Sequence, residues 1–160
     1  MKKYLSILFI LFMCINTMYS QQQTDTIKYI SYPISGTEIT IKIPSHYTVN
    51  SNQKNEYSCS QKGIVLSYIL IPNITTKQFC DSLTPTYFSN QNLQNIQHIK
   101  KSEISIYTGS FVINDIPYIR AFYVYPYKRS TLLGIFNYPQ VFADETEQLI
   151  LHSLNTCNHD

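Results

Sequence analysis

From Ile27 onward, apolar side chains return at every second position in run after run of this chain. A period of two matches the pleat of a β-strand, whose successive side chains leave opposite faces, whereas a helix needs a period near 3.6. Residues 27–32 and 38–43 read as strands joined across residues 33–37, with Ser35-Gly36 as turn chemistry and Pro44 ending the second. His46, Tyr47 and Val49 then lead into a polar loop, residues 50–55. Residues 56–60 and 64–71 make another pair, turning at Gln61-Lys62-Gly63. The run IVLSYILI is apolar on both faces, as a strand covered on both sides must be.

The sharpest local signal is Asn114-Asp115. Both residues tolerate positive φ, which a two-residue primed hairpin turn requires. Counting outward sets Ile113 opposite Ile116, Phe111 opposite Tyr118, Tyr107 opposite Phe122 and Ile106 opposite Tyr123. One face then carries Tyr107, Phe111, Tyr118 and Phe122, and the other Ile104, Ile106, Ile119, Tyr123 and Tyr125. Both are apolar, so both need cover. A further strand, residues 131–137, follows the loop at 127–130.

Helical spacing interrupts this pattern twice. Thr75 or Thr76 can cap a helix that turns Phe79, Cys80 and Leu83 to one side. Pro85 inside a continuous helix would cost about 3 kcal/mol. The spacing therefore predicts a second short helix, capped by Thr84 with Pro85 at its first position and Tyr87 and Phe88 inward. Residues 90–97 read as a polar exit. Pro139 introduces a final helix, in which Asp144 and Glu147 resemble a capping box and Leu149, Ile150, Ser153 and Leu154 point inward. Strands, helix, strands, helix in that order predict an α+β fold, an antiparallel β-sheet flanked by helices.

Ahead of this domain, Lys2 and Lys3 precede an apolar run (LSILFILFMCI) and a polar stretch, residues 16–20. That order is the secretory signal pattern, and the run falls short of the about 20 residues a membrane span needs. Cleavage after Ser20 is the expectation; an uncleaved anchor and a lipoprotein modified at Cys14 are the rivals. The chain divides into a signal peptide (1–20), a flexible tail (21–26) and a single domain (27–160). Export to the periplasm or the medium follows, with no stable membrane span after cleavage. The Asn73-Ile74-Thr75 sequon matters only in a eukaryotic secretory pathway, and the signal suits a bacterium. The formal net charge of +2, from 12 basic and 10 acidic residues, resides in Lys2 and Lys3. A neutral mature surface without a basic run argues against nucleic acid as a partner.

Cys59, Cys80 and Cys157 remain after cleavage, and in an oxidising compartment two of three can pair. Which two is left open, as is the reading of Cys80 as a small buried hydrophobe. His152, Cys157, His159 and Asp160 match no zinc spacing, so no metal site is expected. His46 and His98 lie in polar contexts. The chain has no Gly-x-Ser-x-Gly elbow, glycine-rich phosphate loop or His-Glu-x-x-His pair, so neither catalytic residues nor a cofactor are expected. Tyrosine is abundant, and Tyr125 and Tyr127, flanking Pro126 at a strand end with Arg129 beside them, are the expected partner contacts. Tyr118 and Tyr123 are expected in the core.

The order of pieces resembles the PsbP-like family, which includes extrinsic photosystem subunits, DcrB-type envelope lipoproteins and Eag chaperones. It comprises a strand ending in Pro44 followed by an aromatic (IPSHYTV), then IVLSYILIP and the helix TTKQFCDSL. The hairpin Ile113-Asn114-Asp115-Ile116-Pro117-Tyr118 and a closing helix ending in Ser153-Leu154 complete it. Tyr47 stands where the family often has tryptophan, and Asp115 where it often has glycine. The resemblance implies a PsbP-like α/β/α sandwich and a non-enzymatic protein that binds a protein partner. Alternatives are a periplasmic immunity protein that neutralises a toxin, and a small ligand-binding protein or enzyme using the aromatic face between Tyr107 and Phe122.

Overall fold

A computed structural model describes residues 27–154. The strands are β1 (Tyr29–Pro33), β2 (Thr40–Pro44), β3 (Thr48–Val49), β4 (Glu56–Cys59), β5 (Ile64–Ile71), β6 (Gln94–Lys101), β7 (Ile104–Ile113), β8 (Ile116–Tyr127) and β9 (Ser130–Pro139). The helices are α1 (Thr76–Ser82), α2 (Pro85–Asn90) and α3 (Ala143–Leu154), the last entered through a 3-10 turn at Gln140–Phe142. The expected signal peptide and tail, residues 1–26, and residues 155–160, with Cys157, His159 and Asp160, lie outside the described residues.

Turn chemistry fixes the register. Asn114 and Asp115 take φ of 48° and 64°, the left-handed pair that a tight hairpin demands. β7 and β8 accordingly pair as the count predicts, Ile113 with Ile116 and Tyr107 with Phe122. The main sheet is antiparallel throughout in the order β3-β4-β5-β9-β8-β7-β6. A one-residue slip would turn every side chain to the wrong face, and two cores hold it in place. On one face Tyr57, Leu66, Tyr68, Tyr123, Phe136 and Tyr138 pack under α3 and the β1–β2 ribbon through Ile150, Leu149, Ile41 and Ile43. On the other, Tyr107, Phe122, Val124 and Leu133 pack under Leu83, at the C-cap of α1, and Phe88 of α2, with Leu93 just beyond them. The expected α/β/α layering is therefore present.

Local signals explain the short helices. Thr75 accepts from the Gln78 backbone N–H while the Gln78 side chain takes the Thr75 N–H, a complete capping box. Thr84 caps α2 by accepting from the Tyr87 N–H, with Pro85 at the first position.

Three expectations are corrected. β1 and β2 pair only with each other and form a separate ribbon over the α3 face, because Ile41 and Ile43 are drawn into that core. Asp144 is no cap: the chain enters α3 through the 3-10 turn, leaving Asp144 and Glu145 in the first turn, where negative charge suits the helix dipole. Residues 94–101, the second half of the polar exit and beyond, form β6. Cys59 lies in the α3-side core and Cys80 beside the opposite one, so the sheet keeps these two from pairing with each other, while any pairing with Cys157 falls outside the described residues.

Candidate partner-binding surface

The contacts expected at the β8–β9 turn divide on inspection. Tyr127 is buried, at 7% exposure, because its position on β8 faces the α3-side core. Its hydroxyl accepts from the Glu38 backbone N–H at 3.0 Å, and Lys128 pairs with the Glu38 carboxylate at 2.9 Å. Tyr127 therefore ties this turn to the β1–β2 connection, with its ring set in the core. Tyr125 is half-buried on the same face, 6.2 Å from the Tyr123 ring. Arg129 is exposed and, among the described residues, forms no ion pair. Tyr123 is buried as expected, and Tyr118 is half-buried.

The aromatic face between Tyr107 and Phe122 is covered, Phe122 being 2% exposed beneath α1 and α2. At its margin lies an open cleft of about 560 Å³ between α1, β6 and β7. There His98 stacks flat on Tyr107, ring centres 4.2 Å apart and planes within 4°. Burial, then a hydrogen bond with Cys80, pushes the Tyr107 hydroxyl up to about 12. The cleft holds a thiol, a phenol and an imidazole, but the thiol meets the phenol, which is a poor base. Asp81 is engaged by Lys77 at 2.7 Å. No nucleophile and base are joined here as covalent catalysis requires.

A second concavity, about 340 Å³, lies between the ribbon and α3. Tyr29 meets His152 there with ring centres 4.5 Å apart, and His46 meets Tyr47 at 5.0 Å. Burial raises the Tyr47 hydroxyl above its ordinary range. Among the described residues no three His, Cys, Asp or Glu side chains are grouped to hold a metal. Arg120, half-buried, donates from Nε to Asn137 at 2.6 Å and from Nη1 to Gln91 at 3.1 Å, and lies over the Phe111 ring. Desolvation lowers its pKa, and the guanidinium ties β8 to β9 and to the end of α2.

Of the twelve large apolar side chains exposed among the described residues, five lie on the β6–β7–β8 flank and seven, Val141 the most exposed of them, lie elsewhere. Ile96 and Ile99 lie on β6; Val112, Ile113 and Ile116 lie at the β7–β8 tip. Exposed apolar side chains grouped at a strand end, as Val112, Ile113 and Ile116 are, mark interaction sites. The sequence reading missed β6 because QNIQHIKK has no alternation. A signal was present: β7 is apolar on both faces and joined to β8 on one side, so a strand was due on the other.

No protein-family profile and no characterised relative matches the chain by sequence. Solved structures do match. The Ran-binding protein Mog1p of Saccharomyces cerevisiae superposes with a TM-score of 0.54 at 7% identity, over 82% of this chain and 95% of that one. Cyanobacterial PsbP (CyanoP) from Synechocystis superposes with a TM-score of 0.51 at 11% identity, over 84% and 94%. The chain thus has the PsbP-like fold that the order of its pieces suggested.

Proposed function

We propose that this is an exported, non-enzymatic protein that binds a protein partner with the β6–β7–β8 flank of its sheet. The observation that carries the reading is the exposure of Val112, Ile113 and Ile116 at the hairpin tip, with Ile96 and Ile99 on the edge strand, next to a sheet whose two broad faces are covered. Arg129, exposed at the far end of β8, and the rim of Tyr125 extend the contact toward the β8–β9 turn. Export rests on the signal pattern of residues 1–20. That one solved protein of this fold is described as Ran-binding supports a binding role for the architecture, while the partner here is its own question. No helix among the described residues is long and apolar enough to cross a membrane.

The test is recovery of a partner from envelope extract on immobilised full chain. The wild type should retain one protein in near-equal amount, and a V112D/I116D variant, altered only at exposed positions, should lose it. Retention of nothing by the wild type, or equal retention by the variant, contradicts the proposal.

A further inference from the structure

β6 is the outermost strand of the sheet, and all eight of its residues are exposed. The opposite edge, β3, is only two residues long. A strand directs its N–H and C=O groups alternately to its two neighbours, so an edge strand leaves one row without a ladder partner. β6 therefore offers the longest free backbone edge of the main sheet.

This edge is guarded against copies of itself. A bulge between Gln94 and Gln97, with Asn95 at φ 52°, breaks the regular ladder in its first half. Lys100 and Lys101 occupy its last two positions. Two copies paired antiparallel would set the bulged half of each against the lysine end of the other, leaving little regular ladder. Bulges and edge lysines are recognised means of discouraging such pairing.

The same features leave an edge with two unlike ends. At its start, Ile96 lies beside Gly109 and the apolar hairpin tip follows, with Val112 67% exposed. At its finish, Lys100 and Lys101 form no ion pair among the described residues, and Arg129 stands two turns away at the same end of the sheet. Nearby Lys77 and Lys128 are already matched by Asp81 and Glu38, so among the described residues at this end Glu103 is the one carboxylate left to oppose three cations. The end is net positive.

Resting on the protein-binding reading above, we propose that the partner supplies an extended segment that adds as a strand alongside β6. Its apolar side chains lie toward the hairpin tip and its carboxylates toward Lys100 and Lys101. Backbone pairing supplies much of the affinity, and the alternating side chains on either face of the edge, Ile96 and Lys100 on one and Ile99 and Lys101 on the other, select the sequence.

The probe is a synthetic eight-residue peptide, half alternating Val and Thr and half alternating Glu and Thr, made in both orders, with Lys replacing Glu as control. Amide exchange on the full chain reads the contact. One order of the acidic peptide should slow exchange across β6, weaken with salt, and bind roughly tenfold less well to a K100E/K101E variant. That variant should accept the Lys peptide instead. Absence of any slowing, or slowing confined to β3 or the α1 cleft, overturns the proposal. So does sedimentation of the unliganded chain as a dimer with β6 already protected. If K100E/K101E still retains the native partner at full strength with β6 unprotected, the strand-addition proposal falls while the protein-binding reading stands.

Discussion

Tyr138 is completely buried, yet its hydroxyl has no hydrogen-bond partner among the described residues. Tyr68, equally buried, pairs its hydroxyl with Ser153 at 3.0 Å, and Ser153 in turn donates to the Ile150 carbonyl. Removing an unpaired buried hydroxyl relieves a desolvation cost, while removing a paired one strands its partner. Tyr138→Phe should therefore leave stability unchanged or raise it by about 1 kcal/mol, and Tyr68→Phe should lower it by about 1 kcal/mol, both read from urea unfolding. Gly134 provides a third contrast. A Cβ there would lie 2.6 Å from Phe136, whose ring is fully buried and has no room to give. Gly134→Ala should cost about 1–3 kcal/mol in the same assay.

Among the elements, those with local chemistry were legible and those without were not. The β7–β8 hairpin followed from two turn residues, and α1 and α2 followed from Thr75, Thr84 and Pro85. Because Asp115 adopts φ 64°, where glycine carries no steric cost, Asp115→Gly should stabilise the hairpin by about 0.5–1 kcal/mol, visible as a higher melting temperature. Thr75→Ala removes the hydroxyl that accepts from the Gln78 N–H, leaving the Thr75 N–H to Gln78 Oε1, and should cost about 1 kcal/mol. β6 escaped because its place is dictated by β7, a tertiary demand, while its own residues face water. The differing burial of two expected contact residues has a related reason: Tyr127 and Arg129 are two residues apart in sequence, but a turn with Lys128 at φ 53° lies between them. That turn sends one into the core and the other outside.

At the scale of the molecule, a sheet with aromatic cores on both faces responds to base. Burial pushes the Tyr57 and Tyr123 hydroxyls up to about 12, against about 10 in an unfolded chain. Between those values the folded state holds more protons than the unfolded one, so stability falls as pH rises from 10 to 12. Tyrosinate absorbance should show these rings ionising only as the near-ultraviolet circular dichroism is lost; ionisation of every tyrosine near pH 10 with the signal intact would contradict their burial. The two broad faces of the sheet are covered by the protein itself, and the proposal places the partner on the flank. A photo-crosslinking residue placed in cells at Ile99, at Val112, or at Val49 on the opposite edge measures this directly. One protein captured from Ile99 and Val112 and not from Val49 is the predicted result; equal capture from Val49, or none from the flank, would contradict it.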